Sequence, residues 1–274
     1  MRPGTSVAVV TIVHGRHAHL AAQHRSLAAG TRRPDHYLVV AVDDPAITPA
    51  TYDGLELEVV TDPGDPRGLP VARARNRGVA EALRRGADVV VLLDVDCLAG
   101  ADLVAAYAEQ TAAEPMTVWS GPVTYLPPPP EGGYPLDELD DLDAPHAARR
   151  DPGRAGVLRG TDPDLFWSLS FAVSAAGWRR LGGFCEDYVG YGGEDTDLGH
   201  LVLERGLQHA TLGAARAYHQ WHPVSSPPVE HLDDVLRNGA IFHARWGRWP
   251  MQGWLDAFAE AGLAEQRDGA WVRA

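Results

Sequence analysis

Apolar, mostly β-branched runs alternate with helical segments through the first third of the chain. The run Val7–Val13 (VAVVTIV) is almost continuously apolar, a pattern typical of a strand that is covered on both faces of a sheet. A helix predicted over residues 17–29 follows it and ends before Gly30 and Pro34. Strands that alternate with helices in this way predict an α/β fold, a mostly parallel sheet with helices on both faces.

The alternation continues as far as residue 113. Further strands are predicted over residues 37–42, 55–60 and 88–93, and further helices over 70–85 and 101–113. In such sheets, ligands bind beyond the carboxyl ends of the strands. Asp43 and Asp94 directly follow two of the predicted strands, so both carboxylates are expected at the ligand-binding edge.

A change of composition separates the rest of the chain from this region. Residues 126–164 contain four successive prolines, a Gly pair and a run of acidic residues, which predicts an insertion or a flexible loop. Such a loop is either a solvated surface segment or a lid that shapes a binding site. Regular structure is expected to resume at residue 165, with a strand over 209–217 and a helix from about residue 229. The two halves are expected to depend on each other within a single domain.

Charge and cysteine content exclude several classes of function. The 274 residues include 24 basic and 37 acidic side chains, and the formal net charge of −13 disfavours nucleic acid as a partner. All 24 cations are arginines, so the chain has no P-loop lysine and no lysine for a Schiff base. Two cysteines are too few for a disulfide framework, and no apolar run approaches the roughly 20 residues needed to span a bilayer. We therefore expect a cytoplasmic protein without a transmembrane segment.

Two aspartates, Asp94 and Asp96, flank Val95 at the end of the most apolar predicted strand. Carboxylates at i and i+2, where a buried strand meets its loop, can both present oxygen ligands to one hard divalent cation. Such a cation can hold the phosphates of a substrate and offset charge on a leaving diphosphate. Aspartate is also common in turns after strands, so the motif by itself leaves a purely structural role open.

A glycine-rich turn at residues 190–193 leads into two acidic residues, Glu194 and Asp195. The glycines either let the backbone approach a ligand closely or adopt positive φ values. The acids either cap the following helix, whose amino-terminal end favours anions, or present a carboxylate to a cleft as a general base. The turn alone does not decide between these two roles.

His219 and His222 lie three residues apart after a predicted strand, and His219 is the favoured third metal ligand beside the two aspartates. The spacing of the Cys and His residues fits no zinc pattern, which favours Mg²⁺ or Mn²⁺. Arg75 and Asn76 lie near the start of a predicted helix, where free N–H groups favour phosphate. They are candidates for contact with a diphosphate, and a role as surface charge is the alternative.

Taken together and in this order, these motifs resemble those of nucleotide-sugar glycosyltransferases with the GT-A fold. The similarity is greatest to family 2 enzymes, with a C-terminal half like that of β-1,4-galactosyltransferases and chondroitin-type polymerases, and it covers residues 5–245. It implies a Rossmann-like α/β domain in which residues 1–125 bind the nucleotide sugar and residues 165–274 hold the acceptor and the catalytic base. The matching residues implied to bind the nucleotide are Thr11, His14, Arg16, Asp43, Arg75, Asn76 and Asp94.

The Trp-Gly-Gly-Glu-Asp motif of the family is matched here by residues 191–195, with Tyr191 in place of Trp. By that match Asp195 is the catalytic base and Glu194 positions the acceptor. The residues implied to bind the acceptor are Trp167, Tyr191, Gly192, Gly193 and Glu194. The residues implied to hold Mn²⁺ or Mg²⁺ are Asp96, Asp94 and His219. Because Tyr191 and Thr196 both depart from the family pattern, the identity of the acceptor does not carry over.

The resemblance implies the inverting, metal-dependent transfer of a sugar from a nucleotide-diphosphate donor, a UDP-sugar, to a hydroxyl of a saccharide, glycolipid, peptide or small molecule. A retaining transferase of the same fold and a catalytically silent sugar-binding module are alternatives. A phosphatase of the haloacid-dehalogenase type also places an Asp-x-Asp motif after an apolar strand. That motif normally opens its fold, whereas two or three predicted strands precede it here, and the customary downstream lysine is missing.

Overall fold

The computed structural model describes residues 4–274, and within them the chain forms fourteen strands and seven helices. The strands, β1 to β14 in chain order, are Val7–Val13, His36–Val42, Ala50–Tyr52, Leu55–Asp62, Val89–Leu93, Cys97–Ala99, Thr117–Ser120, Val123–Tyr125, Val157–Arg159, Ser170–Ser174, Gln208–Leu212, Ala217–His219, Ala264–Arg267 and Ala270–Arg273. The helices, α1 to α7, are His17–Ala29, Val71–Arg84, Leu103–Ala113, Ala175–Leu181, Glu194–Glu204, Leu232–Trp246 and Gln252–Glu260. Short 3₁₀ turns lie at Leu136–Leu142, Pro163–Leu165 and Val229–His231.

Nine of these strands form the central sheet, in the order β3-β4-β2-β1-β5-β10-β7-β11-β9. Four strands of the first third, β1, β2, β4 and β5, lie side by side and pair in parallel. Strand β10 enters antiparallel between β5 and β7, and β11 is parallel to β7. The predicted α/β architecture is confirmed. The sheet as a whole is mixed and not mostly parallel as expected, because β3, β9 and β10 pair antiparallel with their neighbours.

The position of β1 in the middle of the sheet explains why it is almost entirely apolar. Val7 and Val9 belong to the hydrophobic core on one face of the sheet, whereas Ala8 and Val10 belong to the core on the other face. A strand that is buried on both faces has no side that faces water, so a polar residue in it must find a hydrogen-bond partner inside the protein. Helix α2 approaches the second face so closely that a Cβ at Gly78 would collide with Val10.

A second sheet of three short strands, in the order β6-β12-β8, lies next to the Asp94–Asp96 motif. Strand β12 is in the middle, and its register places His219 opposite Cys97 on one side and Tyr125 on the other. Because Cys97 directly follows Asp96, this register brings the end of β12 beside the second aspartate of the motif.

Residues 126–164 contact the rest of the fold at several points. Leu126 and Leu139 are buried with Leu98 and Tyr218 in a small apolar cluster. Strand β9 lies within this stretch and forms the edge of the central sheet beside β11. The segment therefore contains two short elements, a 3₁₀ turn and an edge strand, that depend on contacts with distant residues. Such elements have too few residues to show a hydrophobic period of their own.

The C-terminal helices and the β13–β14 hairpin form a separate apolar layer around Val235, Leu255 and Phe258. Residues 247–251 connect α6 to α7. Over residues 4–274, no helix has both the length and the apolar character required to cross a membrane.

Candidate active site

A cavity of about 850 Å³ opens at the ends of β1 and β5, and the residues that follow both strands line it. This is the edge at which the α/β pattern predicts a ligand. Asp96 and Asp195, which come from the two halves of the chain, both line the cavity. The C-terminal segment at residues 248–254 supplies a further part of the wall. The two predicted acidic motifs therefore face one common space.

Asp96, His219 and His222 form a compact group of metal-ligand type. His219 Nε2 lies 3.5 Å from Asp96 Oδ1, and His222 Nε2 lies 3.6 Å from Asp96 Oδ2. The three ligand atoms lie within 4.8 Å of one another. The small sheet explains this placement, because the backbone N–H of Gln220 donates a 2.6 Å hydrogen bond to the carbonyl oxygen of Asp96 beside the β6–β12 pair.

The electrostatics of this group fit a divalent cation. Asp96 Oδ1 is buried and accepts no hydrogen bond. Burial acts to raise the pKa of Asp96, but His219 and His222 outweigh burial and lower that pKa below its usual value. The Asp96 carboxylate in turn raises the pKa of His222. One carboxylate and two imidazoles suit a divalent transition-metal ion better than Mg²⁺, which prefers oxygen ligands.

Asp94, the first aspartate of the motif, has a different partner. Arg75 Nη2 donates a hydrogen bond to Asp94 Oδ1 at 2.8 Å, and Arg75 Nη1 donates one to Glu194 Oε1 at 3.2 Å. Arg75 is only 3% exposed, and the two carboxylates raise its pKa although burial opposes this. One guanidinium thus joins carboxylates from the two halves of the chain. The second carboxylate oxygen of Glu194, Oε2, is buried without a hydrogen-bond partner.

Asp195 lies in the first turn of α5 and has an unusually basic carboxylate. Burial and the neighbouring charge of Glu194 raise the pKa of Asp195 to about 7. The backbone N–H of Thr196 donates a 2.7 Å hydrogen bond to Oδ1 and opposes this shift without cancelling it. A carboxylate whose pKa lies near neutral pH can accept a proton and later release it, as a general base must.

A glycine turn and one asparagine hold these two acids in place. Gly193 has a φ of 93°, and a Cβ there would lie 3.0 Å from the ring of Tyr188. Asn238 of α6 is fully buried, and its amide donates hydrogen bonds to the carbonyl oxygens of residues 189, 191 and 192. Helix α6 therefore supports the turn, and the two acids at its end line the cavity.

Aromatic side chains extend from the histidine group along the cavity wall. Tyr125 stacks on His219, with ring centroids 4.5 Å apart, and meets His146 edge-on at 5.3 Å. His146 in turn meets Trp167 at 5.1 Å. Tyr125 is 47% exposed even though it is a large aromatic residue, which leaves its ring available to a ligand.

A second aromatic group lies at the glycine turn. Tyr191 stacks on His231 with ring centroids 4.4 Å apart, and its ring lies 5.6 Å from that of Trp254. Tyr191 and Trp254 both line the cavity. Carbohydrate rings bind well against such faces, because aromatic side chains combine a large apolar area with few rotatable bonds.

Most of the site residues predicted from sequence lie around this cavity. The predicted residues that line it are His14, Arg16, Arg75, Asp94, Asp96, Trp167, Tyr191, Gly192, Gly193, Glu194 and Asp195. The predicted ligand His219 contacts Asp96, as described above. Arg16 Nη1 also approaches Asp96 Oδ2, at 3.3 Å, which places a cation beside the histidine group.

Three predicted nucleotide contacts, Thr11, Asn76 and Asp43, are not among the lining residues. Thr11 is buried and donates a hydrogen bond to Leu93 O, which ties β1 to β5. Asn76 donates to the carbonyl oxygen of Phe184 and accepts from its N–H, so its amide is used inside the protein. Asp43 is exposed, in a turn with a φ of 44°.

Asp44, which follows Asp43 in the sequence, contacts a turn that lines the cavity. It accepts hydrogen bonds from the backbone N–H of Gly15 and from His17 Nε2, both at 2.8 Å. Asp44 thereby fixes the turn after β1 that carries His14 and Arg16. Sequence analysis names Asp43 as the nucleotide contact, whereas it is Asp44 that contacts the turn after β1.

Several side chains at the site are not predicted from sequence as site residues. His222 joins the metal-type group, and its signal is the His-x-x-His spacing, from which sequence analysis favours His219 alone. Tyr125, His146 and residues 248–254 line the cavity without any local motif. They reach it because distant segments fold back onto the sheet edge, which no short spacing in the chain reveals.

Comparison with known proteins shows similarity to glycosyltransferases. A sequence profile described as the N-terminal domain of galactosyltransferase matches residues 164–223, which include the glycine turn, Asp195 and both histidines. Validoxylamine A glucosyltransferases of Streptomyces hygroscopicus subsp. limoneus and subsp. jinggangensis (strain 5008) are each 29% identical to this chain over 225 residues. The alignments cover 73% of this chain and 48% and 52% of the two relatives, so the chain spans about half the length of the curated relatives it matches.

Solved structures with the same architecture are much less similar in sequence. GalNAc-T7, crystallised with UDP, GalNAc and Mn²⁺, is 13% identical, with a TM-score of 0.57 over 95% of this chain and 57% of that one. Residues 1–349 of S. aureus TarS are 12% identical, with a TM-score of 0.58 over 93% of this chain and 70% of that one. Likeness at such identities concerns the fold, and the fold of this chain is the GT-A fold of nucleotide-sugar glycosyltransferases.

Proposed function

We propose that this chain transfers a sugar from a UDP-sugar to an acceptor hydroxyl with inversion at the anomeric carbon, and that the transfer requires a divalent metal ion. The observation that carries the proposal is that Asp96, which lies beside His219 and His222, and Asp195 both line one cavity of about 850 Å³. Ligand pockets commonly have volumes of roughly 300–1,000 Å³, so this cavity has room for a ligand of nucleotide-sugar size.

On the donor side, Asp96, His219 and His222 are the residues that would hold the metal ion. A divalent cation bound there would offset the negative charge that develops on the leaving UDP. Arg16, 3.3 Å from Asp96, offers a further cation to the diphosphate. The crystallisation of GalNAc-T7 with UDP and Mn²⁺ supports this nucleotide and this metal as the pair to test first.

Asp94 is proposed to act through Arg75 instead of through the metal. Its Oδ1 accepts the hydrogen bond of Arg75, which keeps the guanidinium beside the cavity. Arg75 Nε is buried without a hydrogen-bond partner. The paired guanidinium can therefore still donate one hydrogen bond to an oxygen of the donor, in a place where water is excluded.

On the acceptor side, Asp195 accepts the proton of the acceptor hydroxyl as that oxygen bonds to the anomeric carbon. The bond from the anomeric carbon to the UDP oxygen breaks on the opposite face, so the configuration inverts. Glu194 Oε2, which is buried and unpaired, accepts a hydrogen bond from the acceptor and positions it. Trp167 and Tyr191 provide aromatic faces for the acceptor beside the glycines at 192 and 193.

Nucleotide binding is the first test of this function. The unfolding temperature is measured with a panel of nucleoside diphosphates and nucleotide sugars, each with Mn²⁺, with Mg²⁺ or with chelator. A ligand at a hundred times its Kd stabilises the fold by about 2.7 kcal/mol, which is easily measured. We expect UDP with Mn²⁺ to stabilise the wild-type protein and chelator to abolish the effect. No response to any nucleotide in the presence of metal would overturn the proposal.

Product analysis is the second test. UDP release is measured with a panel of hydroxyl acceptors, and the anomeric configuration of the product is read from its proton coupling constant. Inversion is expected. A product with retained configuration would exclude Asp195 as the base of a single displacement. Nucleotide binding without turnover of any acceptor would instead favour the sugar-binding module.

A further inference from the structure

A small crevice of about 10 Å³ beside the cavity has three basic side chains among its eight lining residues. Its lining includes His146, Arg149, Arg150 and Thr211 and contains no carboxylate. The chain as a whole has 37 acidic and 24 basic residues, so this group of basic side chains is opposite in sign to the net charge of the protein. His146 lines both this basic crevice and the main cavity, which makes the two spaces neighbours.

The acids nearest in sequence do not neutralise these arginines. Asp143 lies 3.4 Å from Arg216 Nε, and Asp151 lies 2.9 Å from Arg216 Nη1, so a third arginine engages both carboxylates. Across residues 4–274, neither the Arg149 guanidinium nor that of Arg150 has a hydrogen-bond or ion-pair partner. Two adjacent positive charges are thus left without an anion.

The surroundings of Arg149 indicate what kind of ligand its guanidinium would bind. Its guanidinium lies over the ring of Trp167, 4.9 Å from the ring centroid, and its Nη2 is buried without a partner. Burial lowers the pKa of Arg149, which is the expected cost of a charge with no counter-ion. A guanidinium presents a planar fork of N–H groups that matches the oxygens of a phosphate or a carboxylate.

The crevice lies within reach of the proposed reaction. Trp167 and His146 line the main cavity, and the guanidinium of Arg149, which lines the crevice, lies over the ring of Trp167. An acceptor that rests against Trp167 can therefore place one substituent beside Arg149 while a hydroxyl faces Asp195. We propose that the acceptor of the transferase carries an oxyanion, a phosphate or a carboxylate, which Arg149 and Arg150 bind. This inference rests on the function proposed above.

Inorganic phosphate is the first probe of the crevice. It is titrated into protein saturated with UDP and Mn²⁺, with chloride keeping the ionic strength constant, so that the donor site is already filled. We expect phosphate to raise the unfolding temperature of the wild-type protein, and Arg150→Gln to weaken the phosphate affinity roughly tenfold. Arg150 is exposed, so its substitution does not disturb the core. The matched control is Arg179→Gln, an equally exposed arginine on α4, which is expected to behave like wild type.

The inference is overturned if phosphate does not raise the unfolding temperature of the wild-type protein. It is also overturned if phosphate raises the unfolding temperature equally in the wild type, in Arg149→Gln and in Arg150→Gln. If UDP does not bind at all, the proposed transferase activity fails by itself. The phosphate titration on the protein without nucleotide then still decides whether the crevice binds anions. The two failures are therefore distinguishable.

Matched acceptor pairs are the second probe. UDP release is compared for glucose, glucose 6-phosphate and glucuronate, and for glycerol and glycerol 3-phosphate. The charged member is expected to have a KM at least roughly tenfold lower, and Arg149→Gln is expected to remove this difference with a smaller change in kcat. The phosphate and carboxylate arms identify which oxyanion is preferred. Equal KM values within each pair, or a preference that survives in Arg149→Gln, contradict the inference.

Discussion

Arg75 and Glu194 meet at the cavity, where Nη1 of the arginine donates a 3.2 Å hydrogen bond to Oε1 of the glutamate. Arg75 belongs to α2 in the first half of the chain, and Glu194 is the first residue of α5 in the second half. The same guanidinium also binds Asp94 beside the metal-type group. One buried cation thus joins the two halves of the site. If either half moved away, a buried charge would be exposed or would lose its ion-pair partner.

Substitution Arg75→Met is expected to destabilise the fold strongly. It would leave Asp94 and Glu194 without their common partner, and breaking a buried ion pair typically costs about 3–5 kcal/mol. The measurement is the free energy of unfolding in urea at neutral pH. Arg84→Met is the matched control, since Arg84 pairs with Glu81 on the exposed surface of the same helix, where such pairs contribute little to stability. A loss for Arg75→Met as small as that of the control would mean that the bridge is not structurally important.

Substitution Asp195→Asn is expected to reduce kcat by roughly 10²–10⁴-fold, the usual contribution of a general base. The amide has nearly the same shape as the carboxylate but does not accept the acceptor proton. Binding of UDP with Mn²⁺, followed by thermal unfolding, checks that the donor site is intact. Asp141→Asn, which changes an exposed carboxylate in the 126–164 stretch, serves as the control. Turnover close to wild type in Asp195→Asn would remove this residue from the mechanism.

The pH dependence of kcat/KM follows from the raised pKa of Asp195. A base is active only when deprotonated, so with a pKa of about 7 the rate is expected to rise with pH below 7 and to level off above it. An ordinary aspartate would be fully ionised by pH 5 and would give a flat profile across this range. The profile is measured between pH 5 and 9 with saturating Mn²⁺. The residual activity of Asp195→Asn should lack this rise, which assigns the ionisation to Asp195.

Removal of the metal-type ligands is expected to abolish the stabilisation by Mn²⁺ and UDP. Asp96→Asn and His222→Asn each remove one ligand atom from the group with His219. The shift of unfolding temperature on addition of Mn²⁺, with and without UDP, is the measurement. His36→Gln is the control, because His36 lies at the start of β2 and pairs with Glu58 away from the cavity. A full Mn²⁺ response in His222→Asn would exclude that histidine from the site.

Asp197 is expected to be essential for the stability of α5. This carboxylate is completely buried and accepts hydrogen bonds from Arg245 Nε at 2.6 Å, Trp246 Nε1 at 2.7 Å and the Tyr188 hydroxyl at 3.2 Å. Asp197→Asn removes the charge that these donors require, so a loss of about 3–5 kcal/mol in unfolding free energy is expected. Asp233→Asn, at an exposed pair with Arg273, is the control and is expected to cost less than about 1 kcal/mol. Equal free energies of unfolding for Asp197→Asn and Asp233→Asn would show that Asp197 is not essential for the stability of α5.

The strands and helices of the first third follow the sequence prediction closely. The β1 strand and the α1 helix begin and end where predicted, and β2, β4 and α2 differ by one or two residues at their ends. The predictions succeed here because long elements with a buried face carry a strong hydrophobic period. In contrast, the single strand predicted over 209–217 divides into β11 and β12, which join different sheets. That division depends on contacts with β7 and β6, which the local pattern does not contain.

The sequence alone predicted most strands and helices of the first third and their order, and it identified the Asp-x-Asp motif, the glycine turn with its acids and the histidine pair. These features are local, since they arise from side-chain period and short spacing. Only the tertiary structure decided how the charges are paired: Asp94 with Arg75, and Asp96 with both His219 and His222. Electrostatic partners are chosen by distance and burial between segments far apart in the chain, and no pattern within one segment specifies them.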